Sequence, residues 1–302
     1  MSIKNKIADS DSPLFLPVKL VFYRFFNKYY EVNNIIAKSE IDSDGDIVIE
    51  LKNGIKLSSP PSKFPADRNF TERYNFGTKS KMDKILDVNK FFFMYEVLSE
   101  LFIYSEYFRY GKLKEGDVVI DAGANIGGFT VQAAQKIGKS GHIFAIEPNE
   151  ENRKTLTKNL SLNNITNCTI ITDALWSEKC TKEFFISHRP GEHTLIDYTG
   201  DPHFQRKNVE TIYCERLDDI IQKHGIQNVA YLKMDIEGAE IEAIKGASNF
   251  LNSQSPFLLI EALHEVNGKP AYNEIIPLVK DAGYELQKEI DNYRGTILAY
   301  KR

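Results

Sequence analysis

The sequence predicts an α/β domain: a doubly wound, mostly parallel sheet closed by an antiparallel C-terminal hairpin, with an N-terminal α+β extension before it. Three observations carry that expectation. From Gly116 onward, short β-branched runs alternate with helical spacing, the pattern of a parallel sheet with helices on both faces. The first run, Val118-Val119-Ile120-Asp121, passes through a glycine-punctuated turn directly into helical spacing at Gly128. The chain's end breaks the alternation, since residues 284–290 and 296–300 are strand-like with only Asn292 to Gly295 between them.

Residues 1–110 differ in texture from the 111–302 domain. Leu14 to Tyr30 is aromatic but interrupted by Lys19, Arg24 and Lys28. It is too short and too charged to span a bilayer, which needs about 20 apolar residues. It reads as an aromatic face packed on the domain or on a second subunit, with an in-plane membrane helix as the alternative. Residues 47–51 and 55–57, joined through Asn53-Gly54, form a hairpin signal. Asp42, Asp44 and Asp46 surround Gly45, but an EF-hand loop wants its glycine sixth and a glutamate twelfth, so the run reads as a solvated turn. Pro60, Pro61 and Pro65 mark a break, and helical spacing resumes over 82–109.

In the domain itself, strands are expected at 117–122, 141–147, 168–172, 229–234 and 256–261, and a helix at 217–224 capped by Asp218 or Asp219. The long excursion 173–228 holds strand-like 183–188 and 209–214, enough for a flap that brings His193 over a bound molecule. The 302 residues carry 38 basic and 42 acidic side chains, and a net charge of −4 argues against a nucleic-acid-binding surface. Three cysteines without metal spacing fit a reducing compartment, and Met1 to Pro13 is polar, so the expectation is a cytoplasmic protein with no transmembrane segment.

The turn after the first strand has the form of a nucleoside site. Asp121 ends the strand with a carboxylate that can accept from an ammonium or hydroxyl. Gly123 allows a sharp turn, while Gly127 and Gly128 leave room for a ligand against the main chain. Glu147 ends the second strand, 20 residues past Gly127 (147 minus 127), where a carboxylate accepts both ribose hydroxyls. That geometry serves NAD and S-adenosylmethionine (SAM) equally. The turn discriminates: Asn125 stands where a dinucleotide fingerprint has its second glycine, and SAM has no pyrophosphate to cradle. Asp173, after the third strand, sits where an adenine amino group is read, or else caps a turn.

Asp-Ala-Gly-Ala-Asn-Ile-Gly-Gly (121–128), Glu-Pro-Asn (147–149), Leu-Asp-Asp (217–219) and Lys-Met-Asp-Ile-Glu-Gly-Ala-Glu (233–240) resemble the FkbM-type SAM-dependent methyltransferases, over about residues 100–302. The resemblance implies a class I methyltransferase fold, Rossmann-like and ending in an antiparallel hairpin. It also implies O-methylation of a sugar, glycan precursor or similar natural-product alcohol. Asp121, Gly123, Asn125 and Glu147 take the family's cofactor places. A small-molecule or glycan hydroxyl acceptor is the implied partner, and the extension would supply acceptor binding or homo-oligomer contacts. A NAD(P)-dependent oxidoreductase and a non-catalytic SAM- or glycan-binding protein are the alternatives.

Methyl transfer to an alcohol requires removal of a poorly acidic proton, so the site needs a base, a metal or both. Two strands end in acidic clusters, Asp235 to Glu240 and Glu261 to Glu265. Asp235, the first polar residue past its strand, can orient the hydroxyl, act as base or bind a metal, or else cap the following helix. Glu240 can be a structural ion pair with Lys233. His264 titrates near neutrality, which suits a general base, though a lone histidine also serves as filler. Asp235, Glu261 and His264 together can hold a divalent ion that acidifies the acceptor, and their spacing leaves that open.

Overall fold

The computed structural model describes residues 32, 34–61, 93, 94, 97, 98, 101, 102, 106–109, 111–187, 191–198, 206–262, 264–266, 268–291 and 294–300. The aromatic segment 14–30, Pro65 and most of the expected helix 82–109 lie outside the described residues. An antiparallel sheet comes first, β1 (Ile36–Ile41), β2 (Ile47–Leu51) and β3 (Lys56–Ser59), in that order across the sheet, followed by the short helix α1 (Glu106–Arg109). The domain then runs β4 (Val118–Ala122), α2 (Gly128–Ile137), β5 (His142–Ile146), α3 (Glu150–Leu162) and β6 (Cys168–Ile171). A smaller sheet is formed by β7 (Ala174–Leu175), β8 (Cys180–Ser187) and β9 (Arg206–Glu215). There follow α4 (Leu217–His224), β10 (Val229–Met234), α5 (Glu240–Lys245), α6 (Ser248–Gln254) and β11 (Phe257–Glu261). A two-residue pair, β12 (Glu265–Val266) and β13 (Lys269–Pro270), precedes α7 (Tyr272–Asp281), β14 (Glu285–Asp291) and β15 (Arg294–Tyr300).

The main sheet has seven strands in the order β14-β15-β11-β10-β4-β5-β6. The run from β11 to β6 is parallel, and β15 inserts antiparallel between β11 and β14. The order reverses between β4 and β10, and this switch point is where open α/β sheets bind ligands beyond their strand ends. Period-2 alternation divides the strand residues between two cores. Ile120, Leu232 and Leu258 pack with Leu217, Ile220, Phe250 and Ile275 on one face. Val119, Tyr231 and Leu259 pack with Phe129, Ala133 and Ile137 on the other.

The N-terminal sheet is clamped to the domain. Its Ile47, Ile49, Leu51 and Leu57 share a core with Met94, Leu98 and Val131. The open edge of β3 would leave backbone groups unpaired, a liability for any edge strand. Asn159 of α3 and Asn163 at its C-cap substitute for a neighbouring strand. Asn159 accepts from Ser58 N at 2.5 Å and donates to Ser58 O at 3.0 Å, while Asn163 accepts from Lys56 N at 2.9 Å. The aspartate run is a clasp as well as a turn. Lys158 of α3 places its ammonium 2.6, 3.0 and 2.7 Å from Asp42, Asp44 and Asp46, so a cation of the chain's own occupies their centre.

Two further expectations change. The strand β1 has no counterpart in the sequence reading, because its side chains follow no clean period-2 burial. Asp218 caps a neighbouring helix rather than its own: its carboxylate accepts from Asn249 N at 3.1 Å and Phe250 N at 2.8 Å at the start of α6.

Candidate active site

A cleft of about 970 Å³, counting its open mouth, lies beyond the carboxyl ends of β4, β5 and β10. One wall is the turn 123–126, the floor is Ile146 and Glu147, and the opposite wall is the loop 235–237. Ala174, Leu175, Phe184 and His193 line it from the smaller sheet and its insertion. The long excursion thus borders the cleft, as expected of a flap.

The glycine turn is set by close packing. Gly123 (φ 75°) is left-handed, and a Cβ there would overlap the backbone carbonyl oxygen of Asp235. The glycine turn and the acidic loop therefore touch through main chain. Gly127 and Gly128 are small for another reason than the one expected: added Cβ atoms would meet Leu156 and Leu101, so protein rather than ligand fills the space. Gly127 is not among the cleft-lining residues, whereas Gly128 is. Asn125 (φ 52°) donates its backbone N–H to Glu147 Oε2 at 2.7 Å, and its buried side-chain oxygen has no hydrogen-bond partner among the described residues. A buried acceptor without a protein partner in a cleft is satisfied by water or by a donor from a bound molecule.

Glu147 is buried in the cleft floor. Its second oxygen accepts from Asn149 N at 2.8 Å, and burial pushes its pKa up against the pull of those amides. The Asn152 side chain also hydrogen-bonds this carboxylate, and with about four acceptor positions on a carboxylate the group keeps room for a hydroxyl donor. Asp121 lies beneath the turn, fully buried. It accepts from Thr130 Oγ1 at 2.5 Å and pairs with Lys233 Nζ at 3.2 Å. The ammonium it meets is the chain's own. Lys233 stands directly opposite Asp121 in the β4–β10 register and also donates to Gly123 O at 2.6 Å. Burial disfavours its charge, but Asp121, Asp235 and Glu261 outweigh that and hold its pKa above the ordinary value. The expected Glu240–Lys233 pair is thus replaced by Asp121–Lys233. Asp173 is half-exposed, 3.4 Å from Lys223 Nζ, and is not among the cleft-lining residues, whereas its neighbours Ala174 and Leu175 are.

Asp235 lines the cleft and donates its backbone N–H to Ala122 O at 3.1 Å. It caps no helix, because α5 begins only at Glu240. Glu240 braces the turn that precedes α5: fully buried, its Oε1 accepts from Ile236 N at 2.9 Å and Gly238 N at 3.3 Å. Glu237 and Gly238 are both left-handed, and Glu237 lines the cleft. His264 sits outside the cleft lining, its Nε2 2.9 Å from Glu237 Oε2 and its Nδ1 3.8 Å from Glu240 Oε1. Burial opposes the charge on His264, yet the hydrogen bond to Glu237 and the charges of Glu237, Glu240 and Asp235 win and push its pKa up to about 10. Burial pushes Glu237 up to about 7, against the pull of His264. An imidazole held protonated at neutral pH is a hydrogen-bonding cation, which changes the role expected of His264 as a free base. Glu261 closes β11 outside the cleft lining, and its charge reaches Lys233. Among the described residues the trio of acidic or histidine ligand atoms within 4.8 Å of one another is Asp42, Asp44 and Asp46, so Asp235, Glu261 and His264 do not converge as a metal cluster.

Sequence reasoning passed over Lys233 as a site residue, Asn152 in the cleft wall, and Glu237. The signal for Glu237 was present in Gly238, which a helix begun at Ile236 has no reason to contain.

Comparison with known proteins agrees with this architecture. A family model described as the methyltransferase FkbM domain matches residues 121–286, from the first strand's aspartate into β14. The chain is 25% identical over 219 residues to "Methyltransferase sdnD" of Sordaria araneosa, covering 62% of this chain and 83% of the relative. It is 24% identical over 218 residues to the 31-O-demethyl-FK506 methyltransferase FkbM of Streptomyces tacrolimicus, covering 64% and 82%. It is also 27% identical over 152 residues to the hexuronic acid methyltransferase AglP of Haloferax volcanii, covering 49% and 56%. Among solved structures, a methyltransferase FkbM of Methylobacillus flagellatus is 21% identical with a TM-score of 0.47, over 64% of this chain and 46% of that one. No helix among the described residues is long and apolar enough to cross a membrane. The nicotinamide oxidoreductase alternative is set aside by the match at 121–286, and the chain belongs to the FkbM methyltransferase family.

Proposed function

We propose that this methyltransferase uses SAM to methylate a hydroxyl of a sugar, glycan precursor or related natural-product alcohol. The observation that carries the reading is the main-chain contact between Gly123 and Asp235, which sets the nucleoside turn against a carboxylate-bearing loop across one cleft. The residues fit the cofactor. Glu147 has acceptor capacity for ribose hydroxyls, the orphaned Asn125 oxygen suits an ammonium donor, and Ile146, Ala174 and Leu175 offer apolar surface to a nucleobase. When bound, SAM supplies an electrophilic methyl group on a sulfonium.

The chain's own part is to orient the hydroxyl, receive its proton and exclude water. Asp235 orients the acceptor, and the insertion bearing Phe184 and His193 covers it. The relatives named for 31-O-demethyl-FK506 and hexuronic acid support an oxygen acceptor. Residues 1–110 add acceptor or subunit contacts to a catalytic domain spanning 111–302. The test pairs calorimetric titration with SAM and incubation of methyl-labelled SAM with a panel of methyl glycosides and sugar nucleotides. Micromolar SAM binding and a mass gain of one methyl group on one acceptor are expected. Failure to bind SAM sinks the reading.

A further inference from the structure

We infer that Glu237 is the group that takes the acceptor's proton, and that His264, backed by the buried Glu240, is the positioning residue that seats it. The inference rests on the hydroxyl-methylation reading and assigns its base. The geometry has three layers. Glu237 faces the cleft from the β10–α5 turn. His264 stands behind it at 2.9 Å, and Glu240 stands behind His264 at 3.8 Å. A base oriented by a second group is the recurring arrangement of proton-transfer sites, and here the third group, Glu240, acts on the ring by charge rather than by a hydrogen bond.

The backbone is bent to produce it. Glu237 is one of five non-glycine residues with positive φ among the described residues, a conformation disfavoured for a side chain of this size. Its left-handed turn is held from both sides: Thr194 Oγ1 donates to Glu237 O at 2.6 Å, and Glu240 Oε1 accepts from the amides of residues 236 and 238. Had the helix begun at Ile236, Glu240 would lie on the face one turn past Glu237. Instead the two carboxylates flank one imidazole. Asp235 shares the cleft, but the ring sits on Glu237 rather than on it. A carboxyl whose pKa is raised toward neutrality by burial is matched to general-base work near pH 7.

The step balances without a further reactant. The acceptor's O–H bond breaks, its proton goes to the Glu237 carboxylate, and the freed pair on oxygen forms the new O–C bond. The C–S bonding pair leaves with sulfur, which becomes a neutral thioether, and Glu237 returns the proton to water. The charged and titratable groups around the pair are Asp235 and Glu237 on the turn, Glu240 on α5 and His264 beyond β11.

The experiment has two readouts. NMR of the imidazole nitrogens in the apo full-length chain follows the His264 titration, and label transfer to a methyl glycoside panel follows turnover. His264 is expected to titrate well above an ordinary histidine, and Glu237→Gln to lower its midpoint by at least about one unit. Glu237→Gln should lose about 100-fold or more in turnover with SAM affinity and circular dichroism retained, and should lose the rising limb of the pH–rate profile. His264→Gln should move that limb rather than abolish it. A wild-type His264 midpoint near about 6.5 overturns the inference, as does a Glu237→Gln enzyme within about fivefold of wild type. If no glycoside takes label from wild type, the sugar reading fails, while the histidine midpoint still upholds or overturns the pairing.

Discussion

Replacing Lys233 by methionine isolates the contact that joins the two halves of the site. Lys233 is 4% and Asp121 0% exposed, their charged atoms lie 3.2 Å apart, and the ammonium also donates to Gly123 O at 2.6 Å and Ala122 O at 3.2 Å. At that separation the Coulomb attraction is about 5 kcal/mol for an effective dielectric of about 20. Methionine fills a similar volume, so little of the loss is packing. What it leaves is a buried carboxylate whose remaining side-chain donor is the Thr130 hydroxyl. Stranding one member of a buried pair costs about 3–5 kcal/mol, a large part of the ~5–15 kcal/mol that a domain possesses. Asp121→Asn should cost less, because two carbonyls still accept from Nζ. The double variant should cost less than the sum, by about 1–3 kcal/mol. Urea unfolding of the four proteins, with slopes compared to confirm equal exposed surface, gives the cycle. A Lys233→Met cost below about 1 kcal/mol, or additivity within about 0.5 kcal/mol, would refute the claim that this pair braces the strand ends.

Three other outcomes follow from the same geometry. Glu147→Gln should weaken SAM binding about tenfold or more by calorimetry, through loss of a charged acceptor for hydroxyl donors, whereas Asp173→Ala, turned toward Lys223, should leave affinity within about threefold. Asn159→Ala strips partners from the Ser58 amide, the Ser58 carbonyl and the Ile126 carbonyl. It should cost about 2–4 kcal/mol in urea, and a loss under about 1 kcal/mol would mean the sheet is held by its apolar core alone. The His264 pKa rises from 6.5 to about 10 on folding, so the folded chain binds the extra proton. Its stabilisation is complete below 6.5 and drains away as pH rises toward 10. The gap in thermal midpoint between wild type and His264→Gln should therefore narrow across that interval, and a constant gap would count against the pairing.

The parallel sheet was legible because burial on both faces forces β-branched runs, and each expected strand agrees with the observed one within a residue or so at either end. The terminal hairpin was legible because only Asn292 to Gly295 separate its two strand-like runs, and it entered the sheet antiparallel. The N-terminal strand β1 was not, since Ile36 and Ser39 are its half-buried positions and the rest of Ile36–Ile41 is exposed. The role of Asn159 was invisible too. Its partner strand lies 101 residues earlier in the chain, and nothing local distinguishes an asparagine that pairs a strand edge from one on a solvated helix face. Gly127 and Gly128 were read as leaving room for a ligand against the main chain, but Leu156 and Leu101 take that space, and nothing local in the sequence distinguishes ligand from leucine.

Asp121 and Lys233 are 112 residues apart (233 minus 121), and read separately their motifs supply a cofactor turn and an acidic run. Folded, they are one object. The β4–β10 register sets Asp121 beside Lys233, Lys233 holds the Gly123 carbonyl, Asp235 N–H reaches the Ala122 carbonyl, and Gly123 gives up its Cβ to the Asp235 carbonyl. The last two of these contacts are main chain on both sides, and the Lys233 ammonium ties the first two together. A change in either motif therefore moves the other, and the spacing between the backbone of the turn at 123–126 and that of the loop at 235–237 is set by main-chain contact. On the proposed reading, methyl transfer is an in-line displacement sensitive to shifts of about an ångström, and the contacts that brace the turn at 123–126 against the loop at 235–237 are the ones that hold its geometry.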